Sequence, residues 1–389
     1  MNRNWREVLL VCLRLGCASF GGPVAHLGYF HEEFVRRRKW LDESTFADLV
    51  ALCQFLPGPA SSQVVYSIGL RQAGWLGGAA AWIGFTLPSA ALMLAFAYGL
   101  GFSDGWELGG WIGGLKIAAV AVVANALWTM AAKLCPDAKR AVIAILAASV
   151  MILFPMAWMQ VAVIVAGALA GRVFLVPDAS AATPAGQGTN TGWPWLLAFA
   201  SLLVGLPILV WATGAPLAFL IESFYRSGSL VFGGGHVVLP LLEEATVGRG
   251  WLDRDTFLAG YGFVQAMPGP LFTFAAYLGS VINVGPGGVG GGLLALVAIY
   301  LPSWLLLPGA MPYWNRLRAL PSARSSMMGT NAAVVGLLGA AFYSPVLISG
   351  VAGGPQVVFA LLAFGALRFL KLPPWLLVIL CAVAGGIVL

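Results

Sequence analysis

The sequence predicts an all-α polytopic membrane protein: an inverted-topology repeat of two six-element halves with broken or re-entrant helices. Three observations predict it. Hydrophobic residues make up 60% of the chain and charged residues only 9%, whereas soluble domains carry about a quarter charged. A series of backbone-breaking motifs occurs twice in the same order. A single apolar element between the two copies has no counterpart.

Composition narrows the class first. Several apolar runs reach the roughly 20 residues that a bilayer crossing needs. Fifty glycines allow close helix approach, and fifteen tryptophans suit the interface. A net charge of +6 raises the question of nucleic acid. Its basic residues, however, sit in short loops between apolar runs, as the positive-inside rule requires, so no nucleic-acid partner is expected. Cys12, Cys17, Cys53, Cys135 and Cys381 show no metal-ligand spacing and read as free thiols, so neither metal nor cofactor is expected. Residues 1–20 resemble a signal peptide, but Arg14 interrupts the apolar stretch, and the segment is expected to be retained.

The chain then reads in order. Residues 5–20 are apolar except for Glu7 and Arg14 and end at Gly21-Gly22-Pro23, where a helix breaks. Residues 31–39 form a basic surface segment. Asp42 caps a helix that breaks at Pro57-Gly58-Pro59, within residues 47–70. Residues 76–100, with Pro88 as a kink, and 109–134 read as spans, followed by a short one over 141–154 and another over 156–176. Residues 177–192 are a flexible linker. Residues 193–213 form the unpaired span. The pattern then restarts: 217–232 ends at Gly233-Gly234-Gly235-His236, Asp253 repeats the cap, and 256–280 breaks at Pro268-Gly269-Pro270. Spans over 291–307, 327–343, 356–370 and 375–389 complete the chain. The matched pairs include Trp40-Leu41-Asp42 with Trp251-Leu252-Asp253 and Leu87-Pro88-Ser89 with Leu301-Pro302-Ser303. Domain bounds follow: a first repeat over 1–176, a linker and crossing helix over 177–213, and a second repeat over 214–389.

Six elements, one, and six more make thirteen, and the odd one turns the second copy over. Such an inverted repeat places a substrate site near the midplane between the halves. If every element crosses, fourteen Lys and Arg from Arg3 to Lys371 share the face of the N-terminus, and Arg36–Lys39 lie opposite. If the first two elements of each copy dip in and return, those four rejoin the majority while Arg249 and Arg254 leave it, giving sixteen against two. Either count puts the N-terminus in the cytoplasm and the C-terminus outside. Each arm around Pro57-Gly58-Pro59 is about 15 Å of helix, half a bilayer, which favours re-entry.

Three cations fall inside apolar elements: Arg14, Lys116 and Arg226. Each costs roughly 2.5–3.5 kcal/mol at a helix centre, so each is a functional candidate. Arg14 and Arg226 both stand six residues before a Phe-Gly-Gly. Together they would cage an oxyanion, which the planar donor fork of Arg suits. The bland reading is snorkelling, or for Arg226 neutralisation by Glu222 one turn earlier. Lys116 has Asn331 as its counterpart, and a buried counter-ion role competes with anion binding. Helices restarting after Pro59 and Pro270 aim free N–H groups at the breaks, where Ser61, Ser62 and Thr273 add hydroxyls; a packing kink is the alternative. Gln54 and Gln265 would donate amide hydrogens there or satisfy freed carbonyls. Glu222 is the one candidate for a coupled proton, against its pairing with Arg226. The aligned pairs Glu32-Glu33 and Glu243-Glu244 flank the path as loop residues, and His236 lies in a loop.

No glycine precedes a lysine in a phosphate loop, and no HExxH, CxxC or GxSxG is present, so the common ATPase and catalytic templates are missing. The chain resembles the chromate ion transporter family in its long, two-domain form. That resemblance rests on Ser19-Phe20-Gly21-Gly22-Pro23 with His26, Trp40-Leu41, Gln54-Phe55-Leu56-Pro57-Gly58-Pro59, Val231-Phe232-Gly233-Gly234-Gly235-His236, Trp251-Leu252, Gln265-Ala266-Met267-Pro268-Gly269-Pro270 and Asn331-Ala332-Ala333-Val334-Val335-Gly336. It implies an inner-membrane protein exporting chromate, with homologous halves of opposite orientation. The expected function is therefore secondary export of chromate or a similar tetrahedral oxyanion, conferring chromate resistance, with the bilayer and the anion as partners and a homodimer as one allowed assembly. A sulfate-type importer or channel is the first alternative. A polytopic membrane enzyme is the second, and it lacks a nucleophile or metal cluster in the sequence.

Overall fold

The computed structural model describes residues 4–20, 22–101, 109–154, 156–176, 191–232, 237–351 and 353–388. Among them no strand occurs, and the protein is an all-α polytopic membrane protein. Gly21, Gly233, Gly234, His236 and nearly all of the predicted linker lie outside the described residues. The helices are α1 (Trp5–Ala18), α2 (Gly22–Phe30), α3 (Glu43–Phe55), α4 (Ala60–Gly101), α5 (Gly109–Leu134), α6 (Ala138–Leu153), α7 (Ala157–Phe174), α8 (Trp193–Thr213) and α9 (Pro216–Ser229). After them come α10 (Val238–Thr246), α11 (Arg254–Ala266), α12 (Phe274–Val281), α13 (Gly288–Ala310), α14 (Trp314–Ala319), α15 (Pro321–Ala341), α16 (Ile348–Gly350), α17 (Gly354–Arg368) and α18 (Pro374–Val388).

The predicted caps form as expected. Asp42 accepts from the Thr45 amide at 2.8 Å, and Asp253 accepts from the Thr256 amide at 2.8 Å. Three readings need correction. Residues 31–37 form a wide π turn continuing α2, with Glu33, Phe34 and Val35 buried, rather than a wholly exposed segment. Glu243 and Glu244 lie in α10 rather than in a loop. Pro88 sits within helical backbone, while α4 breaks at Ala73 and Gly74, the latter at φ +62°, a left-handed value suited to glycine. There the chain reverses, because the backbones of Gly69 and Gly77 touch. In an unbroken helix they would stand about 12 Å apart.

Several of the thirteen predicted apolar elements are short helices that turn back on a neighbour. Helix α1, at 14 residues, and α3, at 13, reach only about 20 Å, short of a hydrocarbon core of about 30 Å. Each folds back on a partner. Arg38, beyond α2, binds Glu33 and reaches Glu7 at the start of α1 at 3.3 Å. The Cys53 thiol on α3 lies 3.7 Å from the Ser67 hydroxyl across the Pro-Gly-Pro turn. In the second copy Arg249 returns to Glu222 at 3.4 Å, and the Tyr277 hydroxyl donates to the Thr256 carbonyl at 2.9 Å. Four hairpins of half-length helix result.

Full-length helices surround them. Five of the described helices are long and apolar enough to cross a membrane: α4, α5, α8, α13 and α15. Glycine sets their contacts: Gly16 of α1 abuts the Phe85 carbonyl, and Gly228 of α9 abuts the Ile299 carbonyl. The late helices exchange partners between copies. Gly336 and Gly329 of α15 pack on Ala144 of α6 and Gly167 of α7, while Gly110 and Gly114 of α5 pack on Gly385 and Cys381 of α18. One end of the bundle gathers Glu7 with Arg38, Gln72 with Trp40 and Trp75 with Trp195. The other gathers Tyr98 with Val289, Leu220 with Gly285, and Gly110 with Gly385.

Candidate functional site

Two reciprocal hydrogen bonds define the centre. The Gly58 amide, inside the first Pro-Gly-Pro, donates to the Val231 carbonyl of the second copy at 2.7 Å. The Gly269 amide, inside the second Pro-Gly-Pro, donates to the Ser19 carbonyl of the first copy at 2.8 Å. Val231 and Ser19 each stand immediately before a Phe-Gly-Gly break. Every hairpin tip is therefore held by a tip of the other copy. Both glycines adopt positive φ, +119° at Gly58 and +95° at Gly269, which favours glycine. A Cβ at Gly58 would also strike the Ser303 hydroxyl, and one at Gly269 would come within 2.9 Å of the Ser89 hydroxyl. These serines come from the matched Leu-Pro-Ser motifs.

Buried polar groups line this crossing. Gln63 donates to the Pro57 carbonyl at 2.7 Å and to the Ser303 hydroxyl at 3.1 Å. The Ser62 and Tyr300 hydroxyls lie 3.4 Å apart, and Tyr300 packs edge-on against Trp82 of α4. On the other flank, His26 is 1% exposed and its Nε2 sits 3.1 Å from the Ser19 carbonyl. Among the described residues three side-chain atoms here are buried without a partner: Ser19 Oγ, His26 Nδ1 and Gln63 Oε1. Buried polar groups are normally satisfied, so a cluster that is not satisfied suits a polar ligand. Helices α2 and α4, with the turn at Leu271–Thr273 that leads into α12, begin at this crossing and direct free amides and dipole ends toward it.

The predicted residues divide around it. Arg226 lies five residues before Val231 but is held by Glu222 at 2.6 Å, with its Nη2 buried and unpartnered. Glu222 is 7% exposed and also takes Arg249 at 3.4 Å, so the carboxylate offered as a proton carrier is engaged by two guanidinium groups. Arg14 lies on the exposed side of α1 and makes no ion pair among the described residues. The structure thus does not form the predicted cage of two free arginines: a carboxylate occupies one of them. Lys116 pairs with Asp255 at 2.9 Å, the counter-ion arrangement, while Asn331 keeps a buried, unpartnered Oδ1. Ser61 and Ser62 are buried at the crossing, and the Thr273 hydroxyl donates to the Pro270 carbonyl at 2.8 Å. Gln54 is exposed, whereas Gln265 keeps a buried, unpartnered Nε2. Glu32 and Glu33 pair with Arg36, Arg37 and Arg38. Burial works against the Glu33 charge, but Arg38 and Arg37 outweigh it and leave this carboxyl below its ordinary range.

Sequence reading missed Ser19, Gln63, Thr86, Ser89, Tyr300 and Ser303 as site residues. The signal for two was present, since Ser89 and Ser303 close matched motifs. Gln63 and Tyr300 carry no repeat signal, because Phe274 and Thr86 stand at their counterparts.

Comparison with known proteins adds to this geometry. The family pattern described as Chromate transporter matches residues 6–172 and again 218–386, one match on each copy. The chromate transport protein of Pseudomonas aeruginosa is 29% identical over 348 residues, covering 84% of this chain and 78% of its own. The probable chromate transport protein of Synechococcus elongatus is 26% identical over 395 residues, covering 96% and 93%. The uncharacterized transporter YwrB of Bacillus subtilis is 28% identical over 175 residues, 44% of this chain but 87% of its own length. No solved structure matches.

Proposed function

The chain belongs to the chromate transporter family, and from that premise we propose that it exports chromate, or a similar tetrahedral oxyanion, from the cytoplasm across the inner membrane and so confers chromate resistance. The observation that carries the reading is the reciprocal pair of bonds from Gly58 to Val231 and from Gly269 to Ser19. It joins the broken backbone of both copies at one buried, polar point, the arrangement that secondary transporters use for substrate. Unwound backbone at membrane depth is tolerated only where it is buried or lines a cavity.

The copies are oppositely oriented in this proposal, over 1–176 and 214–389. Two groups of contacts support that reading: α1 begins at the end that holds Trp75 and Trp195, and α9 begins at the end that holds Tyr98 and Val289. Arg36–Lys39 then share the side of the N-terminus, which the positive-inside rule assigns to the cytoplasm. The anion sits between the crossing tips, with the free Nη2 of Arg226 as its charged donor and Ser62, Tyr300 and Ser303 as neutral ones. Arg14 is the cation available from the first copy. A dianion moving alone out of a cell at −100 mV inside gains about 4.6 kcal/mol, and each proton that accompanies it takes back about 2.3 kcal/mol, so export driven by the potential needs no ATP.

The test is chromate uptake into inverted membrane vesicles with and without an imposed potential, alongside resistance of the expressing cells. Potential-dependent uptake that falls at least tenfold in Arg226→Gln, with the protein still folded, is expected. Uptake indifferent to both the potential and the substitution would refute the proposal. Sulfate outcompeting chromate at equal concentration would redirect it to a sulfate transporter.

A further inference from the structure

We propose that His26 is a proton-binding group of this oxyanion site, so that one proton travels with each anion. The inference rests on the transport reading above and adds its ion coupling. His26 lies in α2, six residues beyond Phe20, and is 1% exposed. Its Nε2 is 3.1 Å from the Ser19 carbonyl, and a carbonyl only accepts, so Nε2 carries the hydrogen. In the neutral ring Nδ1 is then a bare lone pair, and it is buried with no partner among the described residues. The hydroxyl of Ser19, whose carbonyl holds Nε2, is also buried with no partner among the described residues. The ring edge packs against Phe85 with centroids 5.3 Å apart, and Phe30 lies at 6.3 Å.

Among the described residues no acid is bonded to this ring. The elements packed against α2 include α4 and the π turn, with α1 packed on α4 in turn. Their titratable and charged groups are Arg6, Glu7, Cys12, Arg14 and Cys17 of α1, Tyr66, Arg71 and Tyr98 of α4, and His31, Glu32, Glu33, Arg36 and Arg37 of the π turn. Glu7 and Glu33 are bound to Arg38, Glu32 to Arg36, and His31 to Glu43. None of these contacts the imidazole among the described residues. An imidazolium buried here alone would be uncompensated, whereas one formed beside an oxyanion is paired. Anion and proton therefore bind together. A proton from solvent bonds to Nδ1 as the anion enters, Nδ1–H donates to an anion oxygen, and the proton returns to solvent when the anion leaves.

The same protonation bears on the crossing. Ser19 accepts from His26 and from Gly269 of the other copy at once. An imidazolium strengthens its bond to that carbonyl, so loading the site grips the shared anchor of the two copies. The second copy has a valine at the position matching His26, Val237 or Val238 by register, so the proposal assigns to this ring one proton per anion.

The experiment measures proton uptake when chromate is added to the purified protein in weakly buffered alkaline solution, where chromate is already the dianion. Wild type is expected to take up one proton per anion bound, and its chromate affinity to fall up to tenfold per unit rise in pH. His26→Gln keeps an N–H for Ser19 and cannot titrate. To the extent that it still binds chromate it does so with no proton uptake, and with equal pH on both sides its anion gradient at a fixed potential should approach the square of the wild-type value, because two charges move instead of one. Chromate binding by the wild type without proton uptake would overturn the coupling and leave the transport reading standing, and this needs no variant to fold. Equal proton uptake by wild type and His26→Gln would also overturn it. Absence of chromate binding by the wild type would sink the transport reading, and the coupling with it.

Discussion

Helices α3 and α11 are sequence counterparts and bury one face in common, yet α11 also buries a second face that α3 leaves exposed. On α11, Leu258, Ala259 and Gly262 are buried, with Gly262 against the Leu115 carbonyl of α5 and Phe263 stacked on Phe96 at 3.9 Å. On α3 the matching Ala47, Asp48 and Ala51 are exposed, as are Ser44 and Gln54 on the same face. A face bearing Asp48 and Gln54 is costly against lipid and belongs against water. The second copy's hairpin is thus closed on a neighbouring helix and the first copy's is open. Symmetry of sequence with asymmetry of packing is what one state of an alternating pair would show. By the repeat, the missing contact is Ala51 of α3 on Thr330 of α15, as Gly262 meets Leu115.

The largest effect should come from the glycines of the crossing. A methyl at Gly58 faces a left-handed φ and the Ser303 hydroxyl together, a strain of about 1–3 kcal/mol before any clash. Gly58→Ala is expected to abolish chromate flux, and Gly269→Ala, which meets Ser89 less closely, to reduce it severalfold. Full flux in Gly58→Ala would show that the two copies need not touch there. Next come the charges. Removing Glu222 leaves Arg226 and Arg249 half-buried without their acid, a loss of about 3 kcal/mol. Its counterpart is Leu10, and Arg14 is exposed, so Arg14→Gln should shift stability by less than about 0.5 kcal/mol. Thermal unfolding in detergent would separate Glu222→Gln from Arg14→Gln, and equal melting temperatures would contradict the contrast.

A subtler test sharpens the comparison of α3 with α11. Cysteines replacing Ala51 and Thr330 should cross-link only while chromate is being turned over, because Ala51 stands exposed in the structure whereas Thr330 is buried. Cysteines replacing Gly262 and Leu115 should cross-link at rest. The reverse order would mean that the open face of α3 is permanent and serves packing. Lys116→Asn, which gives α5 the residue of α15, should loosen the closed side modestly. Asp255 is 63% exposed, and a pair so solvated contributes about 0–1 kcal/mol.

Much of this was legible in the sequence. Pro-Gly-Pro, Phe-Gly-Gly and the capping aspartates fix where helices start and stop, and those are local rules. Pairing of Arg226 with Glu222 was legible too, being one turn apart. The second partner, Arg249, was not, since it lies 27 residues beyond Glu222 and only the hairpin brings it back. Nor does any local rule say that each Pro-Gly-Pro anchors on the other copy. That choice rests on backbone contacts between residues more than 170 positions apart. The repeat of Arg14 and Arg226 suggested a symmetric cage, and the single substitution of Leu10 by Glu222 between copies undoes it.

The smallest expected difference lies in the two caps. Asp42 and Asp253 make the same bond to the amide three residues on, both at 2.8 Å. Asp42 starts a helix with one open face, and Asp253 starts a helix packed along its length. Replacing Asp42 by Ala should therefore speed amide exchange through the first turn of α3, at Thr45 and Phe46. Replacing Asp253 should leave Thr256 and Phe257 better protected, because α5 and Tyr277 still hold that turn. Hydrogen bonds from Ser44 and then Thr45 hold the Asp42 carboxyl down at about 2. A carboxyl depressed in the fold contributes above its ordinary pKa and loses that contribution only as the pH falls toward the depressed value. Wild-type protection of α3, corrected for intrinsic exchange, should thus be level from neutral to mildly acidic pH. A decline already near the ordinary carboxylate range would show that the cap is not what orders the open hairpin.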